Sequence, residues 1–562
     1  MRGTSPSVEA LVAAAMPTEA RSITGLLARL AAADTIRSIS MRGQPMEPSA
    51  LSGVEVRGVT EDSRTVGPGS LFVALPGFHV DGHAYAAHAA DAGAAAIVVE
   101  RPVANVAIPQ LVVTSARPAL AEAACWWFDD PSARLGMVGI TGTDGKTTTS
   151  FLAAAALEAA GLRTGLVGTI ETRVGTAVDR HEAHVTTPSA PELQALLAAM
   201  VAAGDDVGVV EATSHALALD RVRGVAWDAV VFTNLTHEHL ELHGTFEAYR
   251  DAKVRLFEGV ARTVGAGSGQ GPGRRADPTL DEGKIVAGRR WPRIGVVNRD
   301  DPSAPWFERA GRAAGARIVG YGTSKAADVR ATAVAEDPRR LHVEYLAPSG
   351  AASVDLRLAG RFNVHNALAV VALGEGLGLD PAAIRAGLEA VTAVPGRMER
   401  IEAGQPFAVV VDYAHSPASI EDVLDLLAPV ARDAGGSLIA VFGSAGERDT
   451  GKRAVMGRIA AERCRLVVAT DEDPRGEDPM AILEEIVLGA ESAGARRGDT
   501  VLAIPDRREA IATAFGQARP GDVVLLAGKG HEQTILYEAG GIPWDEAGVA
   551  RALLAELGYD AG

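Results

Sequence analysis

Cysteine is nearly absent from this chain of 562 residues, which has only Cys125 and Cys464. With no leader-like segment and no cysteine spacing suited to a disulfide framework, the two read as buried, reduced thiols, and a cytoplasmic location is expected. Aromatic residues are scarce at 4%, and no apolar run approaches the length that spans a bilayer. Positive charge is in deficit: 54 Lys and Arg against 71 Asp and Glu leave a formal charge of -17. Such a balance argues against non-specific nucleic-acid binding, so any anionic ligand needs a local basic pocket. The partners expected are small-molecule substrates, with no nucleic acid, no membrane and no obligate protein partner.

Apolar residues at 47% and charged residues at 22% describe a soluble globular chain, and its length suggests about three or four domains. Short β-branched runs alternate with Ala- and Leu-rich helical stretches, the pattern of βαβ units and an α/β fold with parallel sheets. Two turn-rich breaks, at Asp130-Pro-Ser-Ala-Arg134 and Val394-Pro-Gly-Arg-Met-Glu399, divide it into three domains, 1–134, 135–396 and 397–562. The first fifty or so residues read partly as an Ala-rich helix and partly as a loose extension, with no chemistry visible. The Gly-rich segment 264–275 reads as a flexible surface insertion.

The strongest local signal is Thr141-Gly-Thr-Asp-Gly-Lys-Thr-Thr148, between the apolar run 135–140 and a good helix. That is the layout of a phosphate-binding loop. Gly142, Thr143, Asp144 and Gly145 let backbone N–H groups close on phosphate oxygens, and Lys146 reaches the terminal phosphates. Thr147 is placed for Mg²⁺ at the helix N-terminus, next to Thr148. The usual first glycine is missing, since Ile140 stands in its place. An ordinary Gly-rich strand-to-helix turn is the alternative.

Further on, the strand 207–211 ends in Glu211, followed by Ala-Thr-Ser-His215, and the strand at 229–233 opens into Asn234-Leu-Thr-His-Glu-His-Leu-Glu-Leu-His-Gly244. Ligands of α/β sheets bind beyond the carboxyl ends of strands, which makes Glu211 and His239 candidates for a metal shell around Thr147. The alternatives are a surface ion pair for Glu211 and a polar loop for His237, His239 and His243. Zinc is the weaker choice of metal, because no cysteine lies nearby and a phosphate loop calls for a hard ion. In the helical stretch 245–257, Lys253 falls seven residues after Phe246 and four after Tyr249, so it shares their inward face. It either snorkels to solvent or is functional. An amine out of water favours its neutral form, which can take up CO₂ and become a carbamate able to ligate Mg²⁺.

These motifs resemble the Mur ligases: Gly-Thr-Asp-Gly-Lys-Thr-Thr, Glu-Ala-Thr-Ser-His-Ala-Leu, the 234–244 segment, and Ala-Tyr-Arg-Asp-Ala-Lys-x-x-Leu-Phe. Asn298-Arg-Asp-Asp301, Gly360-Arg-Phe-Asn-Val-His-Asn366, Pro395-Gly-Arg-Met-Glu399 and Asp412-Tyr-Ala-His-Ser-Pro417 extend the likeness from about Val54 to the C-terminus. Within the family, it points to the members that add the third residue of the peptidoglycan stem peptide, a step of cell-wall synthesis on which cell shape and division depend. The resemblance implies an N-terminal domain for a UDP-sugar substrate, a central P-loop ATPase domain and a C-terminal Rossmann-like domain.

The resemblance also implies residue roles. Ser63, in Asp62-Ser-Arg64, and Phe78, His79 and Val80 would meet the uridine nucleotide. Thr186, Thr187, Thr213 and Arg221 would meet the muramoyl peptide, while Arg64 and Arg221 supply positive charge. Asn298, Arg397 and Asp412 would join the ATP site. Lys253 would be the carbamylated lysine, sharing Mg²⁺ with Thr147, Glu211 and His239. Arg448, Glu472, Asp473, Pro474, Arg475, Gly528 and Glu532 would form the amino-acid pocket; for Asp449 or Asp478 alone, a turn or cap suffices.

The implied activity is ATP-dependent amide ligation through an acyl phosphate. A diamino acid is expected, with meso-diaminopimelate ahead of L-lysine or L-ornithine, because Arg475 suits a distal carboxylate. Asp473 stands where members adding diaminopimelate usually have Asn, and its added negative charge would favour a bare ammonium. Glu238 and Glu241 likewise replace the usual Asp. A folylpolyglutamate-type ligase and a non-ligase P-loop ATPase module are the alternatives.

Overall fold

Short β-branched runs, buried on both faces, build the first of three large sheets in this computed structural model, which describes residues 6–77, 80–180, 186–236, 243–261, 284–337 and 340–559. Its strands run in the order Gln44–Pro45, Ile36–Met41, Gln110–Val113, Ala96–Val99, Ser70–Val73 and Gly58–Thr60, the last four mutually parallel. Successive side chains point to opposite faces. Leu71 and Val73 therefore pack with helices Ile23–Ala32 and Ala116–Trp127, whereas Phe72 packs with Ala86–Asp91 on the other side.

Of the Ala-rich helix and loose extension expected over the first fifty residues, the helical part is present, and the described remainder is not a loose extension. Ile23–Ala32 buries Ile23, Leu26 and Leu30 on one helical stripe, and Ile36–Met41 is a sheet strand. Ahead of both, Val8–Ala15 is capped by the Ser7 hydroxyl, which accepts from the Ala10 amide at 3.2 Å. This helix does not join the first sheet. Val8 is buried with Met137, Leu193, Leu197 and Met200, so the segment straps onto the second unit.

The second sheet has eleven strands. Its parallel centre runs Thr164–Val167, Val207–Glu211, Gly136–Thr141, Ala229–Phe232, Ile294–Asn298 and Arg317–Gly322. Antiparallel pairs extend both edges, Glu171–Val174 with Ala177–Arg180 on one side and Val329–Asp337, Arg340–Ala347 and Gly350–Leu356 on the other. The phosphate-loop strand lies between Val207–Glu211 and Ala229–Phe232, so their carboxyl ends converge at a switch point. One face is covered by Lys146–Ala159, Phe362–Leu377 and Pro381–Ala390. Close contact there depends on Gly387, where a Cβ would stand 2.5 Å from the Ala155 carbonyl oxygen.

The third sheet runs Glu399–Ile401, Ala408–Asp412, Val523–Ala527, Leu438–Phe442, Leu466–Ala469 and Val501–Ala503, parallel except for the first strand. Helices cover both of its faces. A charged contact ties the first two units: Glu122, held within the first unit by Arg29 at 2.8 Å, also meets Arg223 of the second at 3.3 Å. Cys125 is buried and Cys464 half-buried. Among the described residues, no helix is long and apolar enough to cross a membrane.

Candidate active site

The missing first glycine of the loop has a physical reason. Ile140 is fully buried and still in the strand, paired in register with Glu211, so an apolar residue is required there. The turn begins only at Gly142, whose φ of 154° and near contact with Thr233 exclude a side chain: a Cβ would stand 1.8 Å from the Thr233 hydroxyl. Gly145, at φ 79°, heads the Lys146–Ala159 helix against Asn366. Neighbouring strand ends fix the loop's shape. The Thr143 amide donates to the Asn234 carbonyl at 2.8 Å, the Asp144 amide to Asn234 Oδ1 at 2.9 Å, and the Thr233 hydroxyl to the Asp144 carbonyl at 2.6 Å.

Lys146 folds back on this loop, its ammonium donating to the carbonyls of Gly142 at 3.0 Å and Thr143 at 2.6 Å. Lys253 does not snorkel. At 1% exposure, it donates to the Gly142 carbonyl at 2.6 Å and lies 4.6 Å from the Tyr249 ring centre. Two amines from different helices thus converge on one loop. Thr148 is buried in the first helical turn.

Glu211 is fully buried and receives only neutral donors among the described residues. Thr147 Oγ1 and Thr169 Oγ1 each donate to Oε2 at 2.9 Å, while the Thr169 amide at 3.0 Å and Ser150 Oγ at 3.3 Å donate to Oε1. Gly168 completes the cradle, since a Cβ there would stand 2.4 Å from Oε1. A buried carboxylate with a ring of hydroxyls and no fixed cation fits a hard divalent ion such as Mg²⁺. His239 lies outside the described residues, as do Phe78, His79 and the segment 264–275. His243, which is described, packs against Tyr249 and His215. Thr169 and Ser150 escaped sequence reading, although Thr169 sits just past a strand end, where a ligand is expected.

Toward the first unit, Thr169 Oγ1 reaches Thr186 Oγ1 at 3.1 Å, and Thr187 Oγ1 donates to the Glu211 carbonyl at 2.7 Å. The Thr213 amide returns to Thr187 Oγ1 at 3.2 Å, and Arg221 donates to the Thr187 carbonyl at 2.9 Å. The four form one continuous ledge beside Glu211. Ser63 sits in the 62–64 turn, where Arg64 points to solvent and pairs with its neighbour Asp62 at 2.6 Å. That pairing holds the Asp62 carboxyl at about 2 and spends the positive charge expected of Arg64. Val80 is exposed, and its carbonyl accepts from Gly77.

The remaining ATP-site candidates lie on two units. Asn298 is spent internally, donating to the Thr233 carbonyl at 2.7 Å and accepting from the Asp300 amide at 3.0 Å. Arg397 stacks 4.6 Å from the Tyr413 ring centre, with its Nε buried and without a hydrogen-bond partner. Asp412 accepts from the amides of Met398 and Ala414, both at 2.8 Å. Burial nonetheless pushes the Asp412 carboxyl up, against the charge of Arg397.

The third unit gathers Glu472, Asp473, Gly528 and Glu532 at the ends of adjacent strands, and here the structure corrects one expectation. Asp473 does not offer free negative charge, because the wholly buried Lys529 pairs with it at 2.8 Å and with Glu532 at 2.6 Å. Asp473 also accepts from the Leu536 amide at 3.0 Å, and the Tyr413 hydroxyl donates to Glu532 at 3.1 Å. Lys529 lies in Gly528-Lys-Gly-His-Glu532, between two residues already chosen, yet sequence gave no sign of its partner.

Other donors and acceptors in this pocket are left open. Among the described residues, Glu472 Oε2 and Arg475 Nε are buried without hydrogen-bond partners. Arg475 sits at φ 56°, unusual for a residue with a side chain, with its amide on the Leu536 carbonyl at 2.9 Å. Gly528, at φ 99°, lets Glu472 approach, as a Cβ would stand 3.0 Å from its Oε2. Pro474 packs its carbonyl on Gly446, and Arg448 is exposed on the neighbouring loop. Asp449 and Asp478 accept from amides two residues on, as turn and cap residues do. Beneath the loop, Arg507 and Glu546 form a wholly buried pair, and Arg507 also donates to the carbonyls of Asp471 and Ala527.

Three stretches of the chain match models of known protein domains. Residues 55–125 match the Mur ligase family catalytic domain, 140–264 and 281–374 the Mur ligase middle domain, and 396–530 the Mur ligase glutamate ligase domain. The chain is 49% identical over 521 residues to the UDP-N-acetylmuramyl-tripeptide synthetase of Roseiflexus sp. (strain RS-1), covering 91% of this chain and 97% of that one. It is 39% identical to the UDP-N-acetylmuramoyl-L-alanyl-D-glutamate–2,6-diaminopimelate ligase of Geobacillus thermodenitrificans (strain NG80-2), covering 88% and 94%. A solved structure of a ligase of the latter name superposes with a TM-score of 0.61 at 28% identity, over 93% of this chain and all of that one.

Proposed function

The chain belongs to the Mur ligase family, and we propose that it joins a diamino acid to UDP-N-acetylmuramoyl-L-alanyl-D-glutamate at the expense of ATP. The observation that carries this reading is the meeting of the phosphate loop and the buried Glu211 carboxylate at the Thr147 hydroxyl. That juxtaposition suits a nucleotide triphosphate and its counter-ion. The units are taken as 1–134 for the UDP-sugar, 135–396 for ATP and 397–562 for the amino acid, with helix Val8–Ala15 strapped across the first boundary. The site is cytoplasmic, where its nucleotide substrates are made.

The amides of Gly142 to Gly145 cradle the phosphates, and Lys146 turns from its own loop carbonyls onto the terminal phosphate oxygens. Thr147, Glu211, His239 and the carbamate of Lys253 would hold Mg²⁺, which when bound neutralises charge on the phosphates. On carbamylation the Lys253 nitrogen keeps one N–H for the Gly142 carbonyl it now meets. Thr186, Thr187, Thr213 and Arg221 orient the peptide so that its D-Glu side-chain carboxylate faces the γ-phosphoryl group. Carboxylate oxygen attacks phosphorus, and ADP departs. The neutral amine of the incoming amino acid then attacks the acyl phosphate, a tetrahedral intermediate collapses, and phosphate leaves as the amide forms. The third unit excludes water that would hydrolyse the acyl phosphate.

For the incoming amino acid, the pocket favours meso-diaminopimelate over L-lysine or L-ornithine. Asp473 is already neutralised by Lys529, whereas Arg475 keeps a buried N–H without a partner, which suits a distal carboxylate. Glu472, whose Oε2 is buried without a hydrogen-bond partner among the described residues, remains for an ammonium group. The test is ADP release with UDP-N-acetylmuramoyl-L-alanyl-D-glutamate and a panel of amino acids. Release is expected only when both substrates are present, and fastest with meso-diaminopimelate. Stimulation by a folate alone would assign a folylpolyglutamate-type ligase, and hydrolysis independent of both substrates a plain ATPase module.

A further inference from the structure

Two arginines from different units, Arg117 and Arg221, act on each other electrostatically where the first and second units meet, and only one of them has been given a role. Arg117 lies in the first turn of Ala116–Trp127, four residues before Ala121 and on the same face of that helix. Ala121 and Ala124 pack against Ala190, which begins helix Ala190–Ala203. Arg221 donates to the carbonyl of Thr187, three residues ahead of Ala190. Each arginine is thus tied to a segment within four residues of this contact. They are close enough that the charge of Arg117, after burial, holds the Arg221 guanidinium below its ordinary value.

Each arginine has one hydrogen bond, and each goes to a backbone carbonyl: Arg117 to Pro76 at 3.1 Å and Arg221 to Thr187 at 2.9 Å. Neither forms an ion pair among the described residues. Other interface arginines do, since Arg29 and Arg223 both hold Glu122. Glu61 and Glu192 are the acids that face Arg221, but neither reaches it as a partner, and Glu192 is taken by the Ser189 amide at 3.1 Å. In a chain of net charge -17, two half-buried guanidinium groups that repel each other without a carboxylate between them are anomalous. An anion bound between them removes the anomaly, because each keeps N–H donors beyond the one it has used.

We propose that Arg117 and Arg221 together form a two-arginine clamp for an anionic group of the nucleotide substrate, with Arg117 a binding residue supplied by the first unit. The inference rests on the ligase reading above for its ligand, though not for its geometry. Arg117 is anchored on the Pro76 carbonyl of the first unit, and Arg221 on the Thr187 carbonyl of the second, beside the residues the ligase reading gives to the peptide. The clamped group is therefore the diphosphate or a carboxylate of the dipeptide, both anions with paired oxygens.

The test is calorimetric titration of the full-length protein and its Arg117→Met variant with UDP, UDP-N-acetylmuramate and UDP-N-acetylmuramoyl-L-alanyl-D-glutamate. Loss of about tenfold or more in affinity is expected, with KM for ATP and the unfolding temperature unchanged. Weakening already present with UDP places the diphosphate in the clamp, and weakening confined to the dipeptide-bearing ligand places a carboxylate there. Equal affinities of the two proteins for all three ligands overturn the proposal, as does a loss matched by a fall in unfolding temperature. Where the methionine variant does not fold, Arg117→Lys serves, with a severalfold loss for the intact substrate expected and wild-type affinity overturning the clamp. Product formation by the wild-type protein tests the ligase reading separately.

Discussion

The phosphate-loop site and the proposed amino-acid pocket both bury acids at strand ends, yet they treat charge in opposite ways. Glu211 is surrounded by hydroxyl and amide donors, and the two nearby lysines are turned onto loop carbonyls instead. In the third unit, Asp473 and Glu532 carry their own cation in Lys529, and Arg507 is matched by Glu546. The first site leaves compensation to what binds; the second is largely compensated before anything binds. A mobile counter-ion and a transferring phosphoryl group need charge that is open to rearrangement. A pocket that discriminates between similar amino acids needs charge that stays where it is.

The contrast breaks most sharply at Lys253. Its replacement by Ala is expected to lower ligase turnover roughly a hundred- to a thousandfold. Short carboxylic acids such as acetate should restore part of the rate if the lysine acts as a carbamate. Steady-state rates with and without acetate decide this, and a loss without rescue would leave Lys253 as a brace for Gly142 alone.

Lys529→Met probes the opposite case. Removing the cation strands Asp473 and Glu532, at a cost of about 3 to 5 kcal/mol in unfolding free energy. Adding Asp473→Asn should recover part of it. Denaturant midpoints of the single and double variants measure both effects; additive losses would show that the pair is not the source of the stability.

The smallest effect concerns Asp471, whose carboxyl is raised to about 6, chiefly by burial, although Tyr537 donates to it. A carboxyl whose folded value lies above its ordinary 3.8 costs nothing when protonated in both states and destabilises once ionised in the fold. Stability should therefore fall between about pH 4 and 6 and level off above that. Asp471→Asn should gain about 1 kcal/mol at pH 8 and nothing below pH 4. Unfolding temperatures across that range check the sign; a gain at low pH would reverse it.

Much of the fold was legible because strand and helix are written in local periodicity. The strands Val207–Glu211 and Ala229–Phe232 stand where apolar runs predict them, and the helix carrying Lys253 begins at its Thr245 cap. The antiparallel edges of the central sheet were not legible, nor was the placement of the first forty residues, because long-range pairing leaves little trace in composition. Glu211 and Lys253 could be chosen by strand-end position and by an inward helical face. Thr169, Lys529 and Arg117 matter through partners that lie far away in the chain.

Sequence alone therefore determined the phosphate loop, the order of the motifs and the face on which Lys253 lies, since each depends on neighbours within a turn or a strand. Only the tertiary structure decided how the charges are balanced. Asp473 reads as added negative charge until Lys529 is seen beside it, and Arg64 as a ligand until it is found paired with Asp62. The electrostatic field at a buried group is the sum over everything packed around it, and folding alone brings those groups together.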